Sequence, residues 1–133
     1  MIPKLNKHTN KEGRCFVWDV TVVDTLATSH INETSKNSAA AAEKASKMKL
    51  AKYEDIQKNY LMIPIAIETF GAWGSDGLSF IKSIGQKIKR ISGNKKSTFY
   101  LFQSISMAVQ RGNAASILGT IKPGKKLDEI FYL

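Results

Sequence analysis

The chain has 133 residues, of which 43% are hydrophobic and 23% are charged, and its formal net charge is +9. This length is typical of one domain with a buried core. Apolar runs fall well short of the roughly 18 residues that a membrane-spanning helix needs, so no membrane partner is expected. The single cysteine, Cys15, excludes an internal disulfide and favours a reducing, intracellular compartment.

The N-terminal third of the sequence predicts extended structure. Residues 1–14 hold a short apolar start and then polar turn-forming residues, which favour a hairpin or loop. Residues 15–26, CFVWDVTVVDTL, are rich in β-branched and aromatic side chains and predict a buried strand.

After a short connection the composition becomes typical of a helix. Thr34 or Ser35 is suited to cap it, and good helix formers continue to about Lys52. Spacings of four and three define its expected inner stripe. That stripe contains Ala41, Ala45 and Met48, with Lys49 at its edge.

A second buried strand is predicted over residues 60–70, followed by a Gly-rich turn. Ser75 or Asp76 then caps a helix to about Ile91, and a Ser-Gly-Asn stretch ends it. The apolar face of this helix is predicted to contain Leu78, Ile81, Ile84, Ile88 and Ile91.

A last helix is predicted from Ser97 or Thr98 to about Leu118, and the remaining residues 122–133 form a C-terminal tail. Its inward residues are expected to be Leu101, Phe102, Ile105 and Val109. The order strand, strand, helix, strand, helix, helix predicts one α/β domain over residues 1–121, with helices covering a sheet.

Positive charge is concentrated in the second half of the chain. Between Gly77 and Leu127 there is no Asp or Glu. The cations of this window are Lys82, Lys87, Lys89, Arg90, Lys95, Lys96, Arg111, Lys122, Lys125 and Lys126. A segment that carries cations and no acids favours a polyanionic partner, most simply DNA or RNA. The segment KIKRISGNKK, residues 87–96, is the strongest candidate for phosphate contacts. The alternatives are an ordinary lysine-rich surface, or a helix end whose cations suit the helix dipole.

Two acids, Asp19 and Asp24, interrupt the first apolar strand. A buried carboxylate is unfavourable unless a charge or a hydrogen bond meets it. Asp24 falls at the end of the strand, where a turn role is natural. Because side chains alternate between the two faces of a strand, Asp19 and Thr21 share one face. The next helix can lie over that face, with Lys49 in reach of Asp19. Asp19 is therefore either a structural partner or a Mg²⁺-binding carboxylate beside a lysine that stabilises charge on phosphate.

Four segments occur in an order that resembles a known family: FVWDVTVVDTLATS, KLAKYEDI, IPIAIETFGAWG and SISMAVQRGNAASILGT. Together they resemble the restriction-like endonuclease domain, of the PD-(D/E)xK type, found downstream of the reverse transcriptase in invertebrate non-LTR retrotransposon-type proteins. The resemblance covers roughly residues 14–121. It implies a restriction-endonuclease-like mixed sheet with flanking helices and a helical C-terminal half. It also implies Mg²⁺-dependent nicking of DNA in the nucleus, in one polyprotein with a reverse transcriptase.

The resemblance also suggests roles for individual residues. Asp19 corresponds to a catalytic, metal-binding acid, and Lys49 to a catalytic lysine on the following helix. Thr21 stands where the broader pattern has its lysine and is a candidate outer-sphere residue. Tyr53 matches an aromatic residue that closes the motif and is expected to pack. Glu68 matches a recurring acid after the next strand, and is either an outer-sphere ligand or structural.

The family pattern further includes an Arg-Pro-Asp segment upstream of the Asp19 strand. Before Asp19 the only acid in this sequence is Glu12. We therefore expect an N-terminally truncated domain that has lost its nuclease activity, because a single carboxylate holds Mg²⁺ poorly. Two other functions stay open: a non-catalytic basic remnant that binds nucleic acid, and a structural or interaction protein whose strand acids only support the fold.

Overall fold

The computed structural model describes residues 13–120, and the predicted N-terminal hairpin and C-terminal tail lie almost entirely outside them. Two strands and four α-helices form within this range. They are β1 (Phe16–Val23), α1 (Ile31–Thr34), α2 (Ala40–Lys52), β2 (Leu61–Glu68), α3 (Ser75–Ser92) and α4 (Ser97–Gly119), with a short 3-10 helix (Ile56–Lys58) before β2. The α/β class is confirmed. The larger mixed sheet implied by the resemblance stays a prediction.

The two strands pair in parallel, and the register places Asp19 opposite Pro64 and Val23 opposite Glu68. Helix α2 covers the face that carries Asp19, because its Lys49 contacts that residue and its N-terminus contacts Glu68. Helices α3 and α4 cover the opposite face. The buried core on that face consists of Ile63, Ile65, Ile67, Phe80 and Ile81. The sheet therefore separates the chain into two layers of helix.

The predicted start of α2 is wrong, and its predicted inner stripe is right at Ala41 but wrong at Met48. The helix begins at Ala40, after Ala39 in a left-handed conformation with φ 63°, and no side chain at its N-cap bonds the first turn. Thr34 instead donates its hydroxyl to the carbonyl of Thr25 at 2.8 Å. Met48, expected inside, is exposed, whereas Ser46 is buried.

Close packing explains the orientation of α2. A Cβ atom placed on Gly74, in the turn after β2, would lie 3.1 Å from the Ser46 hydroxyl. Only small side chains fit at so short a separation, so Ala42 and Ser46 face the sheet and the long Met48 side chain points to solvent.

Helices α3 and α4 form an antiparallel hairpin with nearly the predicted bounds. Gly93, at φ 71°, ends α3, and the backbone N–H of Lys96 bonds the side chain of Asn94 at 2.9 Å in the turn. The expected inward residues of α4 do pack against the core. The predicted face of α3 is wrong at its C-terminal end, where Ile91 is 88% exposed.

The exposed end of α3 follows from the length of the sheet. Phe80 contacts Phe16 and Trp18, with ring centroids 6.0 Å apart in both pairs, near the start of β1. About two further turns of α3 therefore extend past the strands, where neither β1 nor β2 can cover them. Within residues 13–120, no helix is long and apolar enough to cross a membrane.

Candidate functional site

Asp19 and Lys49 meet between β1 and α2. The Lys49 Nζ lies 2.6 Å from Asp19 Oδ2, and the two side chains are 27% and 29% exposed. Alternation along β1 turns Asp19 toward α2, and the spacing Ala42, Ser46, Lys49 keeps Lys49 on the helix face that meets the sheet. The predicted contact between the two residues is therefore present.

Each member of this pair stabilises the charged form of the other. The hydrogen bond from Lys49 lowers the pKa of Asp19 below its ordinary value of 3.8, against the opposing effect of partial burial. The Lys49 charge, a hydrogen bond from Tyr53 and the Lys52 charge lower the pKa further. The bond to Asp19 raises the pKa of Lys49 above its ordinary 10.5. Both groups are therefore charged at neutral pH.

Tyr53 lies between two lysine ammonium groups. Its ring centroid is 5.9 Å from the Nζ of Lys49 and 5.3 Å from that of Lys52, within the range of cation–π attraction. Its side chain also contributes to the lowered pKa of Asp19, so Tyr53 lies close to the ion pair as well as to both lysines. Lys52 is the member of this cluster that sequence reasoning did not assign. Its position three residues after Lys49 was the available signal.

Glu68 does not join Asp19. Four residues separate it from Pro64, the partner of Asp19, which corresponds to about 13 Å along the strand. Its Oε1 accepts hydrogen bonds from the backbone N–H groups of Ala41 at 3.0 Å and Ala42 at 3.3 Å. With only 2% of its surface exposed, Glu68 caps α2, which is the structural one of its two expected roles.

The described residues alone do not complete a Mg²⁺ site at Asp19, and binding of the ion there stays a prediction. Thr21 follows on the same strand face, opposite Ala66, but offers only a hydroxyl. Within residues 13–120 no group of three or more His, Cys, Asp or Glu side chains is placed to hold a metal. An approaching cation would also meet Lys49 and Lys52, whose charges repel it. In the part of the chain that the structure describes, Asp19 forms an ion pair with Lys49.

The cations predicted to contact phosphate cluster at one end of the helical hairpin. We call this set the basic hairpin end: it consists of Lys87, Lys89, Arg90, Lys95 and Lys96, and all are exposed. Among residues 13–120, none of them forms a salt bridge to a carboxylate. The hairpin packs on the sheet face opposite α2, so the structure does not bring these cations together with Asp19.

Comparison with known proteins does not identify the function of either site. No protein-family model matches the chain, and no curated protein and no solved structure is significantly similar to it. The resemblance to a restriction-like endonuclease domain therefore stays a prediction.

Proposed function

We propose that this chain binds nucleic acid without catalysis, by holding the phosphate backbone at the basic hairpin end. The observation that carries the proposal is the concentration of exposed cations at the α3–α4 turn, which form no salt bridge within residues 13–120. No Asp or Glu occurs between Gly77 and Leu127, so the chain itself provides no competing anion in this stretch.

Phosphate contacts of this kind give affinity without reading sequence. Binding releases counterions from the nucleic acid, so the affinity falls steeply as salt rises. Contacts to about five phosphates would lower the affinity for duplex DNA about 500-fold between roughly 50 and 200 mM salt. Asp19 is engaged by Lys49 on the other sheet face and has no part in this mode of binding.

The test is fluorescence anisotropy of the chain with labelled duplex DNA across that range of salt. The variant Lys95→Ala/Lys96→Ala should reduce the salt slope by about 2, roughly uniformly across DNA sequences. The matched control is Lys44→Ala/Lys47→Ala, which removes two exposed lysines from α2. The control should leave most of the affinity and the slope intact, because α2 lies on the opposite face.

Equal losses in the two variants would show that binding depends only on net charge and would contradict the assignment to the hairpin. Absence of binding at low salt to both duplex and single-stranded nucleic acid would exclude the function altogether. An Asp19→Ala variant that loses stability, in a chain that does not bind DNA, would then favour a structural or interaction protein.

A second proposal is metal-dependent nicking of DNA, with the chain as part of a nuclear retroelement protein that also carries a reverse transcriptase. The specific observation in its favour is the 2.6 Å contact between Asp19 and Lys49, the two residues that the resemblance pairs. Further carboxylates would have to come from residues outside 13–120.

Nicking is tested with supercoiled plasmid, in the presence of Mg²⁺ and after chelation. Activity should require the metal, and Asp19→Ala and Lys49→Ala should each abolish it while circular dichroism shows a folded chain. Asp55→Ala is the control, because Asp55 is an exposed acid whose carboxylate pairs with Lys58 at 2.7 Å. Nicking that survives Asp19→Ala would rule out this site.

A further inference from the structure

Two aromatic rings stand exposed beside the basic hairpin end. Phe99 is 63% exposed and Tyr100 is 47% exposed, in the first turn of α4. Their ring centroids are 5.8 Å apart and the planes meet at 64°, an edge-to-face contact. The backbone N–H of Tyr100 bonds the carbonyl of Lys96 at 3.0 Å, so the ring lies one helical turn from that lysine.

The packing of α4 explains why these rings are not part of the core. Thr98 approaches α3 so closely that a Cβ on Gly85 would lie 2.8 Å from its Cα. Thr98 therefore faces α3, and Phe102, one turn later, contacts Trp73 at 5.2 Å between centroids. At about 100° per residue, Phe99 and Tyr100 point away from this contact face. Exposure of both rings is thus imposed by the helix register.

Exposed rings next to exposed cations are the combination that suits single-stranded nucleic acid. Each base presents a flat face that can stack on an aromatic ring, while cations hold the neighbouring phosphates. In a duplex the bases are already stacked on each other, so the rings would have nothing to receive. Charge complementarity of the same surface favours a polyanion over an apolar partner.

We propose that the α3–α4 turn binds single-stranded nucleic acid in preference to duplex, with unpaired bases stacked on Phe99 and Tyr100 and phosphates held by Lys95 and Lys96. This inference rests on the proposed nucleic-acid binding and deepens it by naming the class of ligand. The exposed side chains contribute little to folding, so they can be replaced without unfolding the chain.

The experiment compares three labelled probes by anisotropy with the whole chain: an oligo-dT and an oligo-U, each of about 20 nucleotides, and a hairpin duplex of equal phosphate number. The variant Phe99→Ala/Tyr100→Ala should weaken single-strand binding at least about fivefold, since loss of one stacked base alone has an effect of that order. Duplex binding should change less than about twofold, because phosphate contacts are retained. Comparing oligo-dT with oligo-U separates DNA from RNA as the source of the single strand.

Two controls separate stacking from loss of apolar surface. Phe99→Tyr/Tyr100→Phe keeps both rings and should retain single-strand affinity. Met107→Ala removes an exposed apolar side chain farther along α4 and should leave all three affinities unchanged. Lys95→Ala/Lys96→Ala should weaken every probe, which tests the underlying binding independently of the rings.

An equal effect of Phe99→Ala/Tyr100→Ala on single-strand and duplex probes, or no effect on either, would overturn the inference while leaving phosphate binding in place. Loss of binding in the ring variant but not in the lysine variant would overturn the proposed function of the basic hairpin end instead. Binding to anionic phospholipid vesicles that depends on the rings, without single-strand preference, would assign the surface to a membrane and refute the proposal.

Discussion

The close approach of α3 and α4 makes Gly85 a sensitive position. A Cβ atom at Gly85 would lie 2.7 Å from the Thr98 Oγ1, 2.8 Å from its Cα and 2.9 Å from its Cβ. Rotation of a side chain cannot relieve the contact with a backbone Cα. The change Gly85→Ala therefore forces the two helices apart, by about 0.7 Å if the separation is to reach the ordinary carbon–carbon contact distance of about 3.5 Å.

Two effects of opposite sign determine how much Gly85→Ala changes the free energy of unfolding. Alanine is favoured over glycine in a helix interior by about 1 kcal/mol. Overpacking of a well-packed contact costs typically about 1–3 kcal/mol, and more when backbone must move. We expect the steric effect to exceed the helix preference, so that Gly85→Ala lowers the free energy of unfolding by about 1–2 kcal/mol.

Gly112 provides the matched control. It lies in the interior of α4, and an added Cβ there would meet no described atom within 4 Å. Gly112→Ala should therefore raise the free energy of unfolding by about 0.5–1 kcal/mol through helix preference alone. The two identical substitutions are thus predicted to act in opposite directions, with a difference of about 1.5–3 kcal/mol.

The assay is urea unfolding followed by circular dichroism at 222 nm and by tryptophan fluorescence, because Trp73 contacts Phe102 across the α4 interface. Coincident transitions by the two probes would support two-state analysis. The midpoints of Gly85→Ala and Gly112→Ala should fall on opposite sides of the unmodified chain. A Gly85→Ala variant as stable as Gly112→Ala would refute the close packing of the hairpin.

Two further predictions concern the carboxyl groups. The pKa of Asp19 is lowered, so its pair with Lys49 stabilises the fold above pH 3.8, and this contribution is lost as the pH falls through the still lower pKa of Asp19 in the folded chain. The pKa of Lys49 is raised, so the contribution is complete below pH 10.5 and is lost at higher pH. Unfolding measured against pH should show a small deficit of Asp19→Asn confined to this window, and a constant deficit at all pH values would contradict it. Glu68→Ala should cost about 2–4 kcal/mol because two buried N–H groups lose their acceptor, whereas Glu68→Gln keeps an acceptor and should cost less than half as much in the same urea assay. Equal losses in the two Glu68 variants would show that the capping bonds are not responsible.

Asp19 within β1 and Asp24 just after it have partners of two different kinds. Asp24 accepts a hydrogen bond from the backbone N–H of Leu26 at 3.0 Å, the turn role expected for an aspartate at a strand end. Asp19 lies within the strand, where backbone groups are already paired with β2, and it is stabilised instead by side chains of α2. An aspartate after the strand end therefore bonds a neighbour in the chain, whereas the aspartate within the strand pairs with a residue of another element.

Features that arise from local preference could be predicted from the sequence alone. Periodicity and composition located β1, β2, α3 and α4, because strand and helix patterns depend on neighbours within a few residues. Alternation along β1 and the spacing of α2 were enough to bring Asp19 and Lys49 into reach. The acid-free, basic second half of the chain is visible in the sequence. The exposure of its cations could also be predicted, since charged side chains are seldom buried without a partner.

Tertiary structure decided what depends on residues distant in the chain. Glu68 caps α2 from β2, and the Glu43 carboxyl accepts the Ser75 N–H at the start of α3 at 2.6 Å, in place of the local caps that sequence rules favour. The rotation of α2 was set by how closely Ser46 and Gly74 can approach, and the exposure of Phe99 by the register of Thr98 against Gly85. The capping bonds and the close packing both join elements that are distant in the chain and meet only in the folded structure. They therefore leave no periodic signal in the sequence.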